Sequence, residues 1–114
     1  MIAVIFELWP KEGHTGAYLD IAAGLKPLLA EQDGFISVER FESLTEPGKL
    51  LSLSFWRDEE ALSKWRHEAR HRMAQAAGRK THFADYRLRV AAVIRDYGMS
   101  ARDEAPEDSI ALHG

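Results

Sequence analysis

Residues 33–62, DGFISVERFESLTEPGKLLSLSFWRDEEAL, decide the fold. Asp33-Gly34 is a turn signal, because glycine adopts the positive φ that a tight reversal demands. From Phe35 to Ser43 the side chains alternate, with Phe35, Ser37, Glu39 and Phe41 opposing Ile36, Val38, Arg40 and Glu42. Alternation of that kind reads as a strand. Thr45-Glu46-Pro47-Gly48 fits a short hairpin loop, in which proline presets one dihedral and glycine supplies another. Lys49–Trp56 returns as the partner strand, its more apolar face carrying Leu51, Leu53 and Phe55. Asp58 is then placed to N-cap a helix, and Glu59 and Glu60 follow where the helix dipole favours acids.

Working outward, residues 2–9 set Ile2, Val4, Phe6 and Leu8 against Ala3, Ile5, Glu7 and Trp9, a strand that Pro10 ends by withholding an amide hydrogen. Over 14–31, Tyr18, Ile21, Ala22, Leu25, Leu28 and Leu29 recur at helical spacing, with Thr15 as the expected cap and Pro27 tightening the last turn. The second helix runs from Glu59 to Ala77 with Ala61, Leu62, Trp65, Ala69, Met73 and Ala76 on one stripe and Gly78 as its stop. His82-Phe83-Ala84 leads to a last strand, Tyr86–Tyr97. The order β-α-β-β-α-β predicts an α+β, ferredoxin-like fold: a four-stranded antiparallel sheet with both helices on one face. Phe35, Phe41, Ala3, Ile5 and Trp9, or their alternates, are left on the uncovered face. An apolar face of that size predicts a two-fold homodimer that buries it. Residues 1–97 form the domain. Residues 98–114 are an acidic C-terminal tail with little to bury, expected to be mobile or laid on a partner.

The 114 residues make one domain. An apolar fraction of 46% beside 29% charged residues excludes disorder, and no window offers the roughly 20 uncharged apolar residues of a bilayer span. Met1-Ile2-Ala3-Val4-Ile5-Phe6 runs into Glu7 without a basic region, so no secretory leader is expected. Cysteine is absent, which excludes disulfides, zinc thiolates, iron–sulfur clusters and thiol nucleophiles. A cytoplasmic protein is the expectation. The net charge of −3 divides unevenly: −6 over residues 1–63, +7 over 64–95 and −4 over the rest. The basic middle lacks adjacent exposed aromatics and is offset by its surroundings, so no nucleic-acid partner is expected.

The stretches Gly34-Phe35-Ile36-Ser37-Val38-Glu39-Arg40-Phe41 and Ser54-Phe55-Trp56-Arg57-Asp58-Glu59-Glu60-Ala61-Leu62 resemble the antibiotic biosynthesis monooxygenase (ABM) family, within the dimeric α+β barrel superfamily. The resemblance covers residues 2–97 and marks the scaffold more than any chemistry. It implies a dimer with one pocket per subunit between sheet and helices. It also implies a cofactor-free monooxygenase, in which a base withdraws a proton from a small aromatic or quinol-like molecule. The carbanion then passes an electron to molecular oxygen, and polar groups hold the oxyanion. No cofactor and no metal are implied. The alternative is a non-catalytic or haem-binding barrel. The haem-degrading branch resembles an Asn on the first strand, a Trp on the second helix and a His ten residues later. Trp65 matches, but the chain contains no Asn and Gln75 stands where the His belongs.

Candidate catalytic residues are His71, Trp65 and Tyr86. His71 titrates in the range a general base needs, Trp65 offers a stacking surface on the apolar stripe, and Tyr86 can donate to an oxyanion. Candidate substrate-binding residues are Arg72, Trp56 and His82: Arg72 for an anionic oxygen, Trp56 at a strand end, His82 at the cavity mouth. Each has an ordinary structural reading as well, such as a core tryptophan or a solvated helix arginine. His67 and His71 share a helix face at a spacing that can hold a metal, but only Glu60 or Glu68 is at hand as a third ligand.

Overall fold

The computed structural model describes the backbone of residues 1–75 and 82–114 and the side chains of residues 1–69 and 82–114. The elements are β1 (Ile2–Pro10), α1 (Thr15–Ala30), β2 (Phe35–Glu42), β3 (Leu50–Trp56), α2 (Glu59–Gln75), β4 (Phe83–Ala92) and a short α3 (Glu107–His113). The four strands form one antiparallel sheet in the order β2-β3-β1-β4, the ferredoxin-like arrangement that the sequence pattern predicts. The expected stop of α2 at Gly78 lies outside the described residues.

Even-numbered residues of β1 face the helices. Val4 joins Leu29, Trp56, Ala61 and Leu62 in one buried cluster, while Leu8 joins Tyr18 and Ala22 in a second. Trp56 and Leu8 are the largest fully buried side chains, at 1% and 0% exposure. Asp58 caps α2, its Oδ1 accepting from the Ala61 amide at 2.9 Å. That bond, and then Arg57, hold the Asp58 carboxyl below the usual carboxylate range. By contrast α1 starts at Thr15 with His14 in the cap position and no side-chain cap bond.

Two departures from simple alternation matter. The register of β2 against β3 slips between Phe35 and Ser37, so Phe35 and Val38 both pack on the helix-side core. A bulge inserts one residue and flips the faces on one side of it. The expectation that grouped Phe35 with Phe41 is corrected accordingly. β4 runs Phe83–Ala92 rather than Tyr86–Tyr97, because its ladder with β1 ends at the Ile2–Ala92 pair, followed only by the bond from the Val93 amide to the Met1 carbonyl at 2.9 Å.

Gly34 makes the β2–α2 junction possible. Its φ is +87°, and a Cβ there would stand 2.5 Å from the Cβ of Ala61. Its carbonyl also accepts from the Arg57 amide at 2.7 Å. Arg57 in turn forks onto both oxygens of Asp33 and reaches Asp58. A side chain at position 34 would therefore push the start of α2 away from the sheet.

The outer face of the sheet carries Ala3 and Ile5 of β1 beside Phe55 and Leu53 of β3, with Glu7 beside Leu51. Glu7 is clasped by Lys49 at 2.6 Å and Arg89 at 2.7 Å, and Lys49 in particular holds its carboxyl below the usual range. Phe41 is 41% exposed. Beyond the sheet, Arg102 ties residues 98–114 onto themselves through the carbonyls of Gly98 and Gly114 and the hydroxyl of Ser109. No helix among the described residues is long and apolar enough to cross a membrane.

Candidate functional site

The pattern of β3 places the site. Its helix-facing residues are Leu50, Ser52, Ser54 and Trp56, so two small polar side chains stand where a packed core calls for large apolar ones. The volume they leave is a cavity of about 310 Å³ between the sheet and α2. Among the described residues, Val4, Phe6, Ser52, Ser54 and Trp56 form its sheet side. Leu62, Trp65, Arg66 and Ala69 come from α2, at the i, i+3, i+4, i+7 spacing of a single helix face, and Leu88 and Val90 of β4 close the flank.

The aromatic wall is ordered by contact. Trp56 and Trp65 stack with centroids 6.3 Å apart at 26°, and Phe35 meets Trp56 edge-on at 5.3 Å. The Trp56 Nε1–H donates to Ser54 Oγ at 3.0 Å, which satisfies the indole. Since Ser54 accepts there, its own O–H proton is left to donate elsewhere. Arg66 makes no ion pair or hydrogen bond among the described residues. It is the one charged side chain in the described lining, and among the described residues no carboxylate lines the cavity beside it.

Trp56 and Trp65 are thus brought together on the cavity. Tyr86 is not in the lining; it pairs with Leu8, sits edge-on to Phe6 at 5.8 Å and is 60% exposed. His82 stands at the far end of the sheet, its Nδ1 2.9 Å from Nδ1 of His14. The side chains of His71 and Arg72 lie outside the described residues. His67 turns to its own helix, Nδ1 2.8 Å from the Ser63 carbonyl, and among the described residues no three metal-ligating side chains cluster.

Ser52, Ser54 and Arg66 escaped the sequence reading, although each left a signal. The serines are the polar alternates of an otherwise apolar strand, and Arg66 interrupts the apolar helix stripe four residues after Leu62. Among the described lining residues there is no His, Cys, Met or Tyr of the kind that ligates haem iron, and the side chains of His71 and Met73 on α2 lie outside the described residues.

Residues 1–77 match the family model described as antibiotic biosynthesis monooxygenase. A protein of Pyricularia oryzae named jasmonate monooxygenase ABM is 53% identical over 93 residues, 82% of this chain but 43% of that protein, so the chain spans less than half of that relative. YqjZ of Bacillus subtilis, an uncharacterised protein, is 36% identical over 93 residues, covering 82% of this chain and 79% of its own. Among solved structures, the haem degrader MhuD of Mycobacterium tuberculosis, with two haems in its active site, superposes with a TM-score of 0.65 at 16% identity, over 86% of this chain and all of that one (100%). At that identity the likeness is one of fold.

Proposed function

The chain belongs to the antibiotic biosynthesis monooxygenase family, and from that premise we propose that it is a cofactor-independent monooxygenase. It admits a small aromatic or quinol-like substrate to the cavity between the sheet and α2 and oxidises it with molecular oxygen. The observation that carries this reading is the cavity itself: apolar walls, a stacked Trp56–Trp65 pair and two serine hydroxyls between the sheet and α2. At about 310 Å³ it is at the small end of ligand pockets, which run roughly 300–1,000 Å³. A one- or two-ring molecule is the matching size. The Pyricularia relative's name carries jasmonate, a single-ring ketone with a carboxylate, which falls in the same size class.

The chemistry follows from what the residues can do. A flat ring lies against Trp65, which orients it and excludes water. His71, on α2 six residues after Trp65, is the proposed base that takes the ring-bound proton. The carbanion gives electrons to oxygen; one oxygen atom enters the product and the other leaves as water, with the substrate as the only electron source. Ser54, its proton free to donate, is better placed on the cavity than Tyr86 to hold the developing oxyanion. The unit is proposed to be a homodimer, with the outer faces of two sheets packed on Ile5, Phe41, Leu51, Leu53 and Phe55.

Oxygen consumption tests the proposal. Metal-free protein with no added cofactor is offered a panel of anthrones, naphthols and quinols, with products identified by mass. Uptake with a quinone or hydroxyquinone product, lowered by Trp65→Phe and His71→Ala, is expected. Silence across the panel would refute the monooxygenase reading.

A further inference from the structure

Resting on the homodimer proposed above, we infer that residues 96–114 are an exchanged arm. They leave their own domain and dock on the edge strand β4 of a second copy of this chain.

The arm is folded yet detached. Arg102 spans it, donating to the carbonyls of Gly98 and Gly114 and to Ser109 Oγ, while its guanidinium lies over the Tyr97 ring at 5.5 Å. The Asp96 amide donates to Glu104, and Ala105 is buried. Among the described residues, every hydrogen bond made by 96–114 stays inside 96–114. The radius of gyration is 16.8 Å, where a compact chain of 114 residues has about 13 Å, and the molecule is 55 Å long by 20 Å thick. Met99 and Leu112 are 98% and 78% exposed, and Ile110 is exposed beside them. A seven-residue helix such as α3 is too short to persist in water by itself, so another surface must support it.

β4 is the element left bare. It lies at one edge of the sheet, and all of its residues after Phe83 are exposed. Tyr86, Leu88 and Val90 stand open on the helix side, and Arg87 and Arg89 project from the outer side. A long uncovered edge strand is a template for association. The arm matches it in kind. Its charge of −4 answers the arginines, and Met99, Ile110 and Leu112 answer Tyr86, Leu88 and Val90.

Direction assigns that strand to the other copy. Past Val93 the chain turns over the end of the sheet, where Val93, Arg95 and Asp96 share one groove with Ile36 and Ser37 of β2 and Phe55 of β3. β2 is the edge opposite β4, so the arm departs away from its own β4. Two sheets packed by their outer faces about a two-fold axis along the strands set β2 of one copy over β4 of the other, because the rotation reverses the strand order. The charges favour that axis. Glu39, Leu53, Ile5 and Arg89 form one row across the outer face, with the acid at the β2 edge and the base at the β4 edge. An axis along the strands sets Glu39 of one copy against Arg89 of the other, whereas the perpendicular axis sets like charges together.

The chain has no cysteine, so Leu112→Cys gives a single attachment point for a benzophenone crosslinker. Light and 15N-labelled copies of that protein are mixed in urea, refolded together and irradiated at micromolar concentration, and the crosslinked peptides are weighed. An exchanged arm joins position 112 to β4, and roughly half of those crosslinks pair one light with one heavy chain, the share for random pairing in a dimer. Crosslinks of a single isotope only, crosslinks confined to other elements, or none at all overturn the arm. Ile110→Asp combined with Leu112→Asp changes two exposed positions outside the sheet. It is expected to raise the dimer dissociation constant at least about tenfold in a sedimentation dilution series, and a change within about twofold overturns the inference. A dimer with single-isotope crosslinks removes the arm and keeps the outer-face dimer, while a monomer removes both. Oxygen uptake tests the monooxygenase assignment separately.

Discussion

Replacing Gly34 by alanine probes the joint on which the site is hung. Two costs add. Alanine at φ +87° sits in the left-handed region, which costs about 1–2 kcal/mol. The new Cβ also meets the Cβ of Ala61 at 2.5 Å, where carbon atoms prefer about 3.5–4.0 Å. Neither methyl can swing aside, so β2 or the first turn of α2 must move, at about 1–3 kcal/mol. The expected loss is about 2–5 kcal/mol out of the roughly 5–15 that holds a domain of this size together. Gly48 is the internal control: its φ is +84°, yet a Cβ there meets nothing within 4 Å. Gly48→Ala should cost only the backbone share. Urea unfolding reads both, as a fall in midpoint at constant slope. A third protein, Gly34→Ala with Ala61→Gly, removes the obstructing methyl. Apart from about 1 kcal/mol for a helical glycine, it should recover the steric share. Equal losses for Gly34→Ala and Gly48→Ala, or strict additivity in the double variant, would refute the packing argument.

Other expectations concern the same core and surface. Ser54→Ala orphans the buried Trp56 indole and should cost about 1–3 kcal/mol by chemical denaturation, while Ser52→Ala, which breaks no side-chain hydrogen bond among the described residues, should cost far less. Glu7, Asp33 and Asp58 all have folded carboxyl pKa values below the ordinary range, so their stabilisation is complete above the unfolded value near 4 and is lost as pH falls through the folded values. Melting temperature should therefore be insensitive to these groups from about pH 5 to 8 and drop below about pH 4, with a shallower acid limb in Asp58→Asn. Leu53→Lys, on the outer face opposite Ile5, is expected to leave the helix-side core intact and yield a monomer in sedimentation at micromolar protein. An unchanged dimer mass would move the interface elsewhere.

The element order was legible because each strand and helix carries its own period and punctuation: Asp33-Gly34, Pro47-Gly48 and Asp58 all stand at the observed boundaries. Where the reading slipped, a partner rather than the local sequence decided. The bulge beside Ile36 depends on how β2 lies against β3, and the end of β4 depends on where β1 begins. The site was legible only in part. Trp56 and Trp65 were visible as large aromatics on an apolar stripe, and both line the cavity. Tyr86 and His82 had the right chemistry, but the register of Tyr86 on β4 sets it opposite Leu8, outside the lining, and His82, just before β4, meets His14 instead. Ser52, Ser54 and Arg66 were hidden for the opposite reason. Taken singly they look like surface residues, and only the sheet register and helix phase show that Ser52 and Ser54 face the cavity and that the exposed Arg66 borders it.

One strand, β3, thereby addresses two compartments. Its even positions, Ser52, Ser54 and Trp56, meet the cavity, and its odd positions, Leu51, Leu53 and Phe55, meet whatever covers the outer face. Because neighbouring residues point to opposite sides, a substitution at one position changes what the chamber admits without touching the other surface, and the reverse holds one residue along. A lineage carrying this strand can therefore drift in ligand preference while keeping its outer face. Chains of nearly the same outer face can then hold quite different molecules.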